Sequence, residues 1–277
     1  MYLKYYLIDT DFLTLPINTF IQEFNFETQS VLFDITGMTK QLIFTIYTSL
    51  AQKVDKLFIV YTRASEEAPY AKDLQPYLNE IDNTDNKIAL LKQISDKVTK
   101  GEDTQHIMLS AIFEDSECDD SRNRTLLASC TDKYEKLFYL LENRDIDSLE
   151  IFIEEQDKVK QKFAKAAAEA ITIGYQDADI ITIDNNIEII LLKLVEQYFK
   201  HYHYKNSNIE LALTGDKYFT LAAAILHSRY KISKCLYVYP KKHDHDSFSN
   251  GVGTTEYFLI DTKKQKTCNI IQDWLYE

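Results

Sequence analysis

Lys40 and Lys217 each close a Thr-Gly turn that leads from an apolar run into a stretch of helical pattern. The first copy reads Phe33-Asp34-Ile35-Thr36-Gly37-Met38-Thr39-Lys40, and the second reads Leu211-Ala212-Leu213-Thr214-Gly215-Asp216-Lys217. Each helical stretch ends in a further apolar run, and Gly37 to Tyr61 and Gly215 to Tyr239 both span 24 residues. Strand, tight turn, helix and returning strand make one βαβ unit, present twice. At the carboxyl ends of parallel strands, helix-start amides and the helix dipole favour a bound anion. Glycine allows close backbone approach, the threonines bring hydroxyls and the lysines bring positive charge. The expected chemistry is phosphate binding by Thr36, Gly37, Thr39, Lys40, Thr214, Gly215 and Lys217. The plainer reading of the same residues is helix capping by threonine. Neither turn is a Walker A loop or a GxGxxG fingerprint, so NAD or ATP in the usual pose is not expected.

Three further groups are candidates. Ser247-Phe248-Ser249-Asn250-Gly251-Val252-Gly253-Thr254-Thr255 follows the apolar run ending at Pro240. Ser249, Gly251 and Gly253 can form a nest of amide donors on the same edge as Gly215, or a surface loop. Arg122 and Arg124 follow an acidic stretch, Glu114 to Asp120, where they can clamp a phosphate. The acids can hold a hard cation instead, or the whole segment can be an exposed loop. Tyr61 and Arg63 follow the strand end beside the first turn, with Glu66 and Glu67 as an acid or base nearby. No catalytic residue is assigned, and no cofactor is expected. The histidines, including the loop pair His243 and His245, lack the convergent spacing of a metal site, and none is predicted. His227 reads as a helix-surface residue.

The elements that would position these groups alternate along the chain. Strands are predicted at 2–8, 31–35, 57–61, 106–113, 149–154, 178–183, 209–213 and 235–239. Helices are predicted at 17–24, 40–53, 69–79, 86–98, 122–142, 156–170, 186–203 and 217–229. Such alternation specifies an α/β fold with mostly parallel, Rossmann-like sheets and flanking helices. Continuously apolar strands such as Leu57-Phe58-Ile59-Val60 fit a sheet covered on both faces. The tail, 256–261 followed by 267–271, reads as an antiparallel hairpin at a sheet edge. A soft boundary near 104 divides the chain into Rossmann-like lobes at 1–103 and 104–277, the latter with the hairpin. The alternative is a single sheet in which βαβ units resemble one another.

At 277 residues the chain can bury a substantial core. Its 45 % apolar and 27 % charged residues are those of an ordinary globular protein. The net charge of −12 argues against an extended DNA or RNA footprint, though not against a small anion held by local charge. The 4 cysteines lack metal or disulfide spacing and read as reduced thiols. No apolar run of about 18 residues is present to span a membrane, and the first residues are too polar for a signal peptide. A cytoplasmic protein is expected, and its 19 tyrosines with many Asn, Ile and Lys suggest an AT-rich bacterial genome.

The two Thr-Gly turns resemble those of the CARF and SAVED sensor domains of prokaryotic antiviral systems. CARF domains often carry a Thr-Gly-Gly-Thr-Lys-like turn, which residues 36–40 match apart from the second glycine. Residues 214–217 are one residue shorter. SAVED looks like two such units in one chain, which suits the repeat. The resemblance covers about 31–62 and 209–240. It implies a cyclic or linear oligonucleotide second messenger, bound by CARF across a dimer, with lysines and hydroxyls on the phosphates. Those sensors usually carry an effector domain for which this sequence has no motif. The resemblance therefore implies a separate effector protein or a homodimer, or a nucleotide-processing enzyme of the same fold. Rival expectations are a nucleotide or sugar-phosphate hydrolase or transferase using Glu66, Asp34 or Asp115 as acid or base, and a ligand-free structural subunit.

Overall fold

In the computed structural model, described for residues 30–99, 107–240 and 249–262, each Thr-Gly segment lies between paired parallel strands. In the first unit, β1 (Ser30–Asp34) pairs with β2 (Lys56–Thr62), and helix α1 (Lys40–Ala51) connects them. In the second, β8 (Asn208–Ala212) pairs with β9 (Lys234–Pro240) through helix α8 (Lys217–Arg229). The two units belong to different sheets. β1 and β2 form a three-stranded sheet with β11 (Thr255–Asp261), which runs antiparallel to β2.

β8 and β9 lie in a six-stranded sheet of order β4-β9-β8-β5-β6-β7, where β4 is Ile107–Glu114, β5 Arg124–Ser129, β6 Ser148–Glu154 and β7 Ala178–Ile183. All pairs in it are parallel except β4 with β9. The protein thus has a mostly parallel, Rossmann-like α/β fold with flanking helices. Chain order reverses between β5 and β8, which is where open α/β sheets leave a crevice at the carboxyl ends of their strands.

Alternate side chains explain how both faces are covered. Leu127, Phe152, Ile209, Leu211 and Cys235 point to one face, and Leu126, Ala128, Leu149, Ile151 and Leu236 to the other. The first face carries α7 (Ile187–Phe199) and α8, and beyond α8 lie α1 and the small sheet, all within one continuous core. Helix α1 buries Ile43, Phe44, Ile46, Tyr47 and Leu50, the spacing of a single helical face. Helix α8 is buried along Tyr218–Leu226, and its Ala222-Ala223-Ala224 run lets neighbouring helices come close. The opposite face carries α2 (Ala71–Leu74), α3 (Leu78–Asn83), α4 (Lys87–Val98), α5 (Glu135–Glu142) and α6 (Lys158–Thr172).

Several expectations need correction. The helix predicted over 122–142 is two elements, because Arg124–Ser129 is the central strand β5 and only Glu135–Glu142 is helical. The apolar core of β5, Leu126-Leu127-Ala128, is too short to be told apart by periodicity, and here pairing with β6 and β8 decides it. Helix 186–203 is α-helical to Phe199 and ends in a π turn, Lys200–Tyr204. His227 is half-buried between the Phe44 and Phe113 rings, with centroids 5.2 and 4.2 Å away, and so is not a surface residue. The expected division at 103/104 lies outside the described residues. Helices between 71 and 98 cover the large sheet, while β11 completes the small one. The expected strand 2–8, helix 17–24 and second hairpin strand 267–271 lie outside the described residues, as do His243 and His245.

Candidate functional site at the paired turns

The turns are tied to each other by their lysines. Lys40 Nζ donates to the Thr214 carbonyl oxygen at 3.2 Å. Lys217 Nζ donates to the Ile35 carbonyl at 3.0 Å and also to the Thr36 carbonyl. Each unit therefore places its helix-start lysine on the turn of the other, and the two turns share one edge of the molecule. Burial lowers the Lys217 pKa, offset in part by the charges of Glu67, Asp34 and Asp216. Its ammonium also stands 5.2 Å from the centre of the Tyr61 ring.

Local capping explains the turns. Thr39 caps α1, its hydroxyl oxygen accepting from the Leu42 amide at 3.3 Å. Asp216 caps α8 and accepts from the Tyr218 and Phe219 amides at 2.7 and 3.0 Å. The Thr36 hydroxyl accepts from the Thr62 amide at 3.0 Å, which leaves its own proton for another partner. The Thr214 hydroxyl instead donates its one proton to the Ser129 carbonyl at 2.6 Å. The expected phosphate donation by Thr214 is therefore spent inside the fold.

The glycines differ in the same way. Gly215 is buried, and a Cβ there would overlap the Glu154 carboxyl and lie 2.7 Å from both Phe219 Cβ and Ser129 Cβ. Its missing side chain is what lets α8 begin against β5 and β6. Gly37 is exposed, and a Cβ there would meet nothing within 4 Å. Packing gives no reason for glycine at position 37.

Beneath Gly215 lies a buried carboxyl that sequence reasoning missed. Glu154, at the end of β6, accepts from the Ser129 hydroxyl and from the Asp216 amide, the latter at 3.3 Å. Burial, then the Asp216 charge and a hydrogen bond to it, hold Glu154 well above the usual carboxylate range. The available signal was a carboxylate closing the apolar run Ile151-Phe152-Ile153.

Tyr61 and Arg63 do adjoin the turns. The Tyr61 and Tyr218 rings meet edge to face at 5.2 Å, and the Arg63 guanidinium lies 4.2 Å over the Tyr218 ring. Arg63 also pairs with Glu256 at 3.6 Å. Burial works against its charge, but the Tyr218 bond and the Asp216 and Glu256 charges hold its pKa up.

Ser249, Gly251 and Gly253 sit on a ribbon that prolongs β2 and β11. Its strands are β3 (Glu66–Glu67) and β10 (Ser249–Asn250). The Gly253 amide donates to the Arg63 carbonyl at 2.8 Å, and a Cβ there would sit 3.1 Å from the Arg63 and Ala64 carbonyl oxygens. Gly251 has φ +69°, and a Cβ there would lie 2.8 Å from Ser65 Oγ. These glycines serve the close approach of two backbones.

Arg122 and Arg124 do not join the site. β4 is antiparallel to β9, with Glu114 opposite Lys234 at the start of β9, so the loop after β4 emerges at the opposite edge from the Thr-Gly turns. Arg122 pairs there with Asp119 at 3.5 Å, and Asp115 with Lys231 at 3.5 Å. Asp115, expected as an alternative to Glu66 or Asp34 for an acid or base, therefore lies on the other edge of the sheet. Among the described residues, no group of three or more His, Cys, Asp or Glu is placed to hold a metal ion.

No family model, curated protein or solved structure matches this chain. Among the described residues, no helix is long and apolar enough to cross a membrane.

Proposed function

We propose that the paired turns bind a small nucleotide carrying more than one phosphate, such as a cyclic or linear oligonucleotide second messenger. The protein would act as a cytoplasmic sensor in a bacterial defence system, signalling to a separate effector or a second copy of itself. The observation that supports this reading is the reciprocal contact of Lys40 with Thr214 and Lys217 with Thr36. It brings two helix starts and two ammonium groups together where a phosphate is favoured. Gly37 has room for a ligand, and the Thr36 hydroxyl and the α1 start supply donors. Tyr61, Tyr218 and Arg63 offer faces on which a base can stack. A ligand phosphate would draw the lysines from backbone carbonyls, so binding at one turn is felt at the other.

The test is a thermal-shift screen of the whole chain against mononucleotides and linear and cyclic oligonucleotides. Stabilisation should grow with the logarithm of ligand concentration and shrink in Lys40→Ala and Lys217→Ala. No shift with any nucleotide, or a shift untouched by both substitutions, rejects the reading. Chromatographic turnover of a stabilising ligand would assign catalysis instead.

A further inference from the structure

Three lysines reach the carboxyl edge of the large sheet from segments that follow three adjacent strands. Lys133 follows β5, Lys160 lies in the first turn of α6 after β6, and Lys217 opens α8 after β8. Glu67, on the two-stranded ribbon, sits among them. Its carboxylate pairs with Lys133 Nζ at 3.1 Å, and its backbone carbonyl accepts from Lys160 Nζ at 2.8 Å. The Lys133 and Lys160 side chains are only 13 % and 15 % exposed, far less than surface lysines usually are. Lys160 also pairs with Asp132 at 2.7 Å. Glu67 is thus a balancing charge brought in from outside the large sheet, with Asp34 and Asp216 adding theirs at Lys217. Burial disfavours its ionised form, but the charges of Lys133, Lys160 and Lys217 outweigh that and keep its pKa low.

We propose that Lys133, Lys160 and Lys217 form an anion position for a phosphate group, which Glu67 occupies as an internal substitute when no ligand is bound. It lies at the crevice where the strand order reverses, a common place for ligands in such sheets. A phosphate offers more acceptor oxygens than one carboxylate and a larger charge. Its entry would expel Glu67. Because the Glu67 contacts help hold β3 to the body, expulsion would loosen the ribbon of 63–67 and 249–254. The position shares Lys217 with the paired turns and adds Lys133 and Lys160 to it; it rests on the nucleotide reading for the kind of ligand that would use it.

The test uses inorganic phosphate and pyrophosphate, titrated by calorimetry at low ionic strength into the full chain. Glu67→Gln removes the competing charge and should raise affinity about tenfold, the scale of one charge-assisted contact. Glu66→Gln makes the same change of net charge one residue away on the exposed side of the ribbon and should leave affinity unchanged. Adding Lys133→Gln and Lys160→Gln to Glu67→Gln should abolish the gain, with circular dichroism confirming folding. In the wild-type chain, phosphate should speed amide exchange in 63–67 and 249–254. Equal affinities in Glu67→Gln and Glu66→Gln, or unchanged exchange in the ribbon, overturn the proposal without any lysine variant. Phosphate binding in Glu67→Gln with no stabilisation by any nucleotide would uphold this position and reject the proposed function. Lysine-dependent nucleotide stabilisation with no gain in Glu67→Gln would do the reverse.

Discussion

Lys40 and Thr214 are 174 positions apart in the chain, yet the ammonium of one rests 3.2 Å from the carbonyl oxygen of the other. Lys217 returns the contact to Thr36. The two turns are thus mechanically one site, although they belong to different sheets. Their coupling runs through two lysines and through the packed pair α1 and α8. Anything that moves one turn must displace a charged donor on the other.

The glycines should part company on substitution. Gly215→Ala forces a methyl against Glu154, Ser129 and Phe219 and should cost about 1–3 kcal/mol by overpacking. Gly37→Ala meets open space and should be neutral or stabilising by up to about 1 kcal/mol. Urea denaturation of both variants decides this, and a wild-type midpoint for Gly215→Ala would contradict the packing described.

Glu154 should make stability fall at high pH. Its folded pKa is raised, so its contribution is fully present below the unfolded value of about 4.3 and is lost as pH rises through the folded value. Glu154→Gln keeps an acceptor for Ser129 and Asp216 and removes the titration. Its advantage over wild type should therefore grow from pH 5 to pH 9 in parallel denaturation curves. An advantage that stays constant over that range would mean that Glu154 is ionised in the folded protein.

His227 should act in the opposite direction. Burial between Phe44 and Phe113 lowers its pKa, so the stability it contributes is present above about 6.5 and lost as pH falls through the folded value. His227→Leu removes a buried, unpartnered Nδ1. The variant should match wild type near pH 8 and exceed it at pH 5.5, as read from melting temperatures. A deficit that deepens toward pH 5.5 would instead mean that the charged ring is the favoured form.

Lys217→Met keeps the apolar stem and removes the donors to Ile35 and Thr36. The Ile35 carbonyl keeps the Met38 amide, but leaving the Thr36 carbonyl without this donor should cost about 1–3 kcal/mol. Amide exchange should quicken in residues 34–39, far from the substitution in sequence. Faster exchange confined to residues near 217 would show that the turns are not coupled through this side chain.

Much of the architecture was legible in the residues. The repeated turn, its equal spacing to a closing tyrosine and the alternation of apolar runs marked both βαβ units, because strand and helix periodicity are local properties of the chain. Helix α8 begins at Lys217 and ends at Arg229 as its pattern predicts. Strand β5, Arg124–Ser129, was not legible, since so short and mixed a segment becomes a strand only when neighbouring strands supply its hydrogen bonds. The edge on which Arg122 falls was equally hidden, because it depends on β4 pairing antiparallel to β9.

For the candidate site, the sequence alone determined the chemistry available: two turns, two lysines, hydroxyls and glycines at fixed spacing. Only the tertiary structure decided how each is used. It spent the Thr214 proton on Ser129, made Gly215 a packing requirement and left Gly37 open. It also placed each Thr-Gly lysine on the other copy's turn and Glu67 among three lysines. These outcomes rest on contacts between segments far apart in the chain, set by the joint burial of two sheets around α1 and α8. No local pattern of residues encodes such contacts by itself.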